Sequence, residues 1–295
     1  MTIRTRAVLL LGSVTLMLAC GASKKPAPAA VPDDTGRRAR TEHAATAPPG
    51  YQPAAGDETI KNSEVAYNLA LEYAGKGELQ AAHHYIDLAM VLQPDSKYSF
   101  TKGLLLIGEK KFSEALGWLE RSLQQGPGTA DNRLAVLNAL GATYMQLGQD
   151  EKALAEFREV VNSPGMISRY ESYYNMGVIY YRQQKYLDAQ AVFEKVVDEN
   201  PGYYRAYNKL GLLAGRKGDW GQAALLFKRA IDLVQNNYPA LQAEGAEMYL
   251  NYGEALFNEK LYPESRQALM TVLRVAPESE AGARAKEFLA KIGTP

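Results

Sequence analysis

The chain has 295 residues, 46% of them hydrophobic and 22% charged, proportions that support a packed core and exclude disorder throughout. Thirty-three Lys and Arg balance thirty-three Asp and Glu, so no basic excess draws nucleic acid to the surface by counterion release. One cysteine and three histidines leave no material for a disulfide framework or a Cys-rich zinc site.

Arg4 and Arg6 precede an uncharged, mostly apolar run of thirteen residues, 7–19 (AVLLLGSVTLMLA), ending in the small residue Ala19. This reads as a secretory leader, because a bilayer-spanning helix needs roughly 20 apolar residues. Met17-Leu18-Ala19-Cys20 resembles the lipobox of bacterial lipoproteins, although Met17 and Leu18 depart from its commonest residues. The resemblance implies cleavage before Cys20 and acylation of that cysteine by chains such as palmitate, each buried CH₂ contributing about 0.8 kcal/mol to a membrane anchor. Gly21 stands where many inner-membrane lipoproteins of Gram-negative bacteria carry Asp, so the same resemblance implies the outer membrane, on its periplasmic side.

Residues 21–61 hold six prolines, ten alanines and a single aromatic, Tyr51. Such a segment buries too little apolar area to offset its ordering entropy, and residues 20–61 read as a lipidated cysteine followed by a disordered tether.

From Asn62 to the end of the chain a pattern recurs six times. Its fourth copy is the plainest, with Tyr173, Met176, Gly177, Tyr180, Tyr186, Ala189, Phe193 and Pro201. The first gives Leu69, Ala70, Tyr73, Gly77, Ala82, Ile86 and Pro94; the second Gly103, Phe112, Ala115, Leu119 and Pro127. The third gives Leu140, Gly141, Tyr144, Gly148, Ala153 and Phe157. The fifth gives Tyr207, Leu210, Gly211, Gly218, Ala223 and Phe227, and the sixth Tyr249, Gly253, Tyr262, Leu269 and Pro277. Spacing and residue types resemble the tetratricopeptide repeat. The implied fold is all-α: a superhelix of six helical hairpins, in which small residues admit close helix approach and large ones fill the gaps. Residues 281–292 (AGARAKEFLAKI) have the spacing of a terminal cap helix. The period stretches at 127–132, 162–168 and 236–245, the last being the longest insertion and readable as a longer turn or an extra contact element.

In the tetratricopeptide family the first helix of each hairpin lines a concave groove. Laid onto this chain, the groove positions include Tyr67, Phe100, Leu104, Met145, Tyr174, Val178, Tyr181, Arg182, Asn208, Leu212 and Arg216. Aromatic and Arg side chains of this kind form the hot spots of protein interfaces, and Tyr174 and Tyr181 are expected to be partly exposed there. Tyr173 and Tyr180 take the core positions. Asn138, Asn175 and Asn208 recur on the right helices for a carboxylate clamp, but companion basic residues are missing from the first three repeats. The adjacent His83 and His84 point apart on a helix, which disfavours shared metal binding. Glu254 is the one clearly acidic groove residue of the C-terminal half, and no facing carboxylate, nucleotide loop or nucleophile elbow accompanies it. The chain therefore reads as a non-enzyme without cofactor or small-molecule substrate. A lipidated leader, a tether and six repeats together resemble the pilotins of type IV pilus systems, lipoproteins that help secretin subunits reach the outer membrane and assemble. That resemblance implies secretin subunits as the protein partner; the alternative is a periplasmic adaptor scaffolding envelope enzymes such as peptidoglycan hydrolases.

Overall fold

The computed structural model describes residues 59–163, 169–237 and 242–293. Cys20, the 1–19 segment expected to be a leader and nearly all of the 20–61 segment lie outside these residues. Among the described residues every regular element longer than one turn is an α-helix, and there are thirteen. Six hairpins follow one another: α1 (Ser63–Lys76) with α2 (Leu79–Leu92), α3 (Ser96–Gly108) with α4 (Phe112–Gln125), and α5 (Ala130–Gln146) with α6 (Asp150–Asn162). Then come α7 (Tyr170–Arg182) with α8 (Tyr186–Glu199), α9 (Tyr204–Arg216) with α10 (Trp220–Asn237), and α11 (Gln242–Asn258) with α12 (Tyr262–Val275); α13 (Glu280–Ile292) closes the series. This is the tetratricopeptide architecture the repeat pattern implies. The helices gather into two compact units, one ending at Glu159 and the other starting at Val160.

Local chemistry sets the helix ends. Side chains of Asn62, Asp95, Thr129 and Ser279 each accept a hydrogen bond from a backbone N–H in the first turn of α1, α3, α5 and α13, satisfying a donor that the helix leaves unpaired. Inside each hairpin the chain reverses through one residue in the left-handed region. Gly77, Gly148 and Gly218 do this in the first, third and fifth hairpins, where the missing Cβ makes it cheap, and Lys110, Gln184 and Lys260 in the others.

One contact recurs in all six hairpins. A small residue of the first helix faces a large one sixteen positions later, on the second helix: Gly103 with Leu119, Gly141 with Phe157, Gly177 with Phe193, Gly211 with Phe227 and Gly253 with Leu269. A Cβ on Gly177 would lie 2.5 Å from the Phe193 ring, so glycine is what allows the ring to lie under the helix backbone. The first hairpin solves the same problem with Ala70 and Ile86, both buried.

Within each unit the hairpins bury apolar faces on one another. In the first unit Ile86 and Ala89 of α2 share a core with Tyr98 and Leu105 of α3, and Ile60, near the end of the proline-rich segment, packs against it. In the second, Ala281 and Ala285 of α13 pack on Leu250, Leu269 and Val272, while Arg284, Lys286 and Glu287 on its other side are exposed. This is the solvated outer face a terminal cap requires. The 236–245 insertion is resolved at both ends as helix, since Asn236 and Asn237 finish α10 and residues 242–245 open α11; residues 238–241 lie outside the described residues. Of the 162–168 stretch, residues 164–168 likewise lie outside them, while at 127–132 Thr129 caps the 17-residue α5.

Candidate protein-binding surfaces

In the first unit the inner surface is built where α1 and α3 lie side by side. The Tyr67 hydroxyl shares a hydrogen bond with that of Thr101 (3.4 Å), its ring lies 5.2 Å from Tyr98, and the Lys97 ammonium sits 5.5 Å from its centroid. Tyr67 and Phe100 are half-buried and remain available to a ligand. Leu104 and Met145 are not: they are 7% and 6% exposed. The helices carrying them are buried almost all round, with Gly103 through Ile107 of α3 and Ala139 through Met145 of α5 all inside. Within the first unit α3 packs on α4 and on both α2 and α5, and α5 packs on α3 and α4, so less of their circumference stays wet than the groove assignment supposes.

In the second unit Tyr174 is 3% exposed, contrary to the sequence expectation. Its ring lies 5.6 Å from Phe193 and 5.1 Å from Tyr203, which enters from the junction before α9. Tyr203 in turn meets Tyr170 at 5.2 Å, and burial pushes its phenol pKa well up, with Tyr174 and Glu171 adding to the shift and Arg205 opposing it. Tyr174 is therefore a packing residue. Tyr173 and Tyr180, assigned to the core by the repeat pattern, are only half-buried, and the Lys195 ammonium stands 5.2 Å from the Tyr173 ring.

The rest of the sequence-derived set in this unit stays on or near the surface. Val178, Asn208 and Leu212 are half-buried, and Arg182 and Arg216 exposed. Asn208 accepts a 3.5 Å bond from the Asn251 side chain, linking α9 to α11, and Leu212 packs beside the Ala214 and Phe227 core. Tyr181 is half-buried and makes an edge contact with Tyr186 at 5.6 Å. The Lys209 ammonium lies 5.7 Å from the Tyr181 centroid, and the Arg216 guanidinium 4.3 Å from that of Tyr186. Two cations thus bracket two tyrosines, in the order Lys209, Tyr181, Tyr186, Arg216. Sequence reasoning included Tyr181 and Arg216 but missed Lys209 as a contact and counted Tyr186 only as a repeat-pattern residue. The recoverable signal is that Lys209 lies two helical turns before Arg216.

Glu254 is engaged by Arg284 of the cap helix at 2.8 Å. His83 and His84 diverge, as their adjacency implies: His83 Nε2 lies 3.3 Å from a Glu109 carboxylate oxygen, while His84 stacks edge-on against Tyr85 at 5.3 Å.

Residues 174–238 match a family model described as tetratricopeptide repeat, and residues 134–163 match a second one with the same description. These segments are tetratricopeptide repeats. Solved structures with the same fold include PilW, described as a widely conserved type IV pilus biogenesis factor: TM-score 0.63 at 18% identity, over 75% of this chain and 96% of that one. PilF of Pseudomonas aeruginosa matches with a TM-score of 0.64 at 16% identity, over 80% of this chain and 99% of the other. MamA matches with a TM-score of 0.50 at 17% identity, over 61% and 95%. At such identities the likeness is one of fold, and the fold is a scaffold for binding proteins.

Proposed function

We propose that the chain is a lipid-anchored scaffold that assists the outer-membrane localisation and assembly of a type IV pilus secretin. The observation that carries this reading is the fold likeness to PilW and PilF, which takes in 96% and 99% of those two chains. The leader and sole cysteine support it from the other end: acylated Cys20 anchors the chain, and the repeats bind the partner through Tyr67, Phe100, Val178, Tyr181 and their neighbours. Leu104, Met145 and Tyr174 act in this scheme as packing residues.

The test separates anchor from scaffold. Outer-membrane fractions from cells carrying Cys20→Ala are compared with wild type for the position of this protein and for detergent-resistant secretin multimers. The expected result is loss of membrane association and fewer multimers, with the protein still helical by circular dichroism. Wild-type levels of multimer in the outer membrane in a strain deleted for this protein would overturn the reading.

A further inference from the structure

The two ends of the repeat series differ. After the last hairpin, α13 packs on Leu250, Leu269 and Val272 and turns charged residues outward. Residues 1–61 carry no copy of the repeat pattern, so no earlier hairpin covers α1. Val65, five positions before the small residue Ala70, is 48% exposed. At the same register in the other hairpins stand Tyr98, Val136, Ser172, Ala206 and Met248, none more than 2% exposed. In two of these the cover is the second helix of the hairpin before. Ile86 and Ala89 of α2 share a core with Tyr98, and Ile231 and Val234 of α10 share one with Met248.

The Ser63 hydroxyl donates to the Gln93 side chain at 3.4 Å, which sets the first turn of α1 beside the last turn of α2. Val91 and Leu92 in that last turn are exposed as well. Further along the hairpin Tyr73 of α1 stacks on Tyr85 of α2, with centroids 5.3 Å apart, planes 9° from parallel and both residues half-buried. Val65, Leu69 and Tyr73 follow one another at four-residue intervals and so form one stripe along α1.

The course of the chain decides what covers this apolar face. Ile60, just ahead of α1, already packs on the first core. A short way upstream, residues 48–55 (PPGYQPAA) carry Tyr51, the one aromatic between Gly21 and Lys61. Pro48, Pro49 and Pro53 oppose a helix and favour the extended polyproline form, which docks on aromatic-lined surfaces. Eight residues separate Tyr51 from Thr59, up to about 28 Å of extended chain, whereas Val65 to Tyr73 spans about 12 Å of helix. Tyr51 therefore reaches every point of the stripe. A segment on so short a link meets its site at an effective concentration on the order of millimolar, far above that of a second copy in dilute solution.

We infer that residues 48–55 fold back as an extended strap over the outer face of the first hairpin. Tyr51 packs on Leu92 and the Val65, Leu69, Tyr73 stripe, and the strap caps the N-terminal end of the repeats. Residues 21–47 remain as spacer, and the inference does not rest on the partner being a secretin.

The test uses the full chain in detergent with Cys20→Ala, which removes the only native thiol. Into it go Ala54→Cys or, as reference, Ala29→Cys, each preceded by proline and followed by alanine. The thiol at position 54 should react with a maleimide at least fivefold more slowly than the thiol at position 29. Adding Tyr51→Ser, or Val65→Ser with Leu92→Ser, should bring the two rates within twofold while circular dichroism stays unchanged. Hydrogen exchange on the chain without added thiols gives a second reading. Tyr51→Ser should speed exchange at residues 60–66 and 89–93 at least threefold and leave α11 to α13 as they were. Equal thiol rates at the two positions, a slow rate at 54 that survives both sets of serine changes, or exchange in the first hairpin indifferent to Tyr51 would each overturn the inference. So would protection at 54 that vanishes on tenfold dilution, which would assign the face to a second copy of the chain.

Discussion

Tyr173 and Tyr174 differ by one position and have different roles. Successive residues on an α-helix point about 100° apart, so a small rotation of α7 decides which ring enters the core, and repeat spacing does not record that rotation. Tyr203, arriving from another hairpin, closes over Tyr174. Tyr174→Ala should then cost about 3–5 kcal/mol of stability, as large-to-small changes of buried aromatics do, and shift the urea midpoint accordingly. Tyr181→Ala, at a half-buried position, should shift it far less. The left-handed turn residues make a prediction of opposite sign. Lys110, Gln184 and Lys260 hold φ near 60°, which costs a residue with a Cβ roughly 1–2 kcal/mol, against about 0.5–1 kcal/mol of extra unfolded-state entropy for glycine. Replacing each with Gly, the choice the other three hairpins make, should raise stability by up to about 1 kcal/mol, read as a higher midpoint at unchanged slope.

At the scale of the hairpin, the pairing of a small with a large residue was legible in the sequence, because both partners are repeat-pattern positions. Gly177→Ala would push a Cβ into the Phe193 ring and should cost about 1–3 kcal/mol by overpacking. Adding Phe193→Ile recreates the Ala70 and Ile86 pair of the first hairpin, and the double variant should be more stable than the sum of the single changes, the signature of direct contact. The contact between α2 and α3 was not legible, since nothing in the period places His83 near Glu109. Burial lowers the His83 pKa below its usual 6.5, helped by the Lys102 ammonium and opposed by Glu109. The unfolded chain therefore takes up the proton first as pH falls. Stability is fully present above about pH 6.5 and declines as pH drops toward the folded-state pKa. His83→Gln should flatten the difference in urea midpoint between pH 7.5 and pH 5.5. Glu109 is held below its usual range, its own burial outweighed by Lys111 and His83, and titrates in more acidic solution than this window.

For the whole molecule, the number and order of hairpins followed from the period, whereas the exposure of the groove residues did not, because it depends on how tightly each interior helix is clasped. The same scale governs the segment between Cys20 and the first hairpin. In the proposed function this stretch is a spacer: it lets the repeats meet a secretin subunit while acyl chains stay in the membrane. About forty residues at 3.3–3.6 Å each can span at most roughly 140 Å. A spacer acts through length and not through side chains, so replacing residues 25–55 with Gly and Ser at constant length should leave secretin multimers at wild-type abundance in outer-membrane fractions. Deleting residues 25–55 outright confines the repeats to within a few nanometres of the bilayer and should lower multimer abundance severalfold, with membrane association and helical content unchanged. If the Gly/Ser replacement fails as badly as the deletion, the segment makes specific contacts of its own. The partner-binding surface would then extend beyond the repeats toward the anchor.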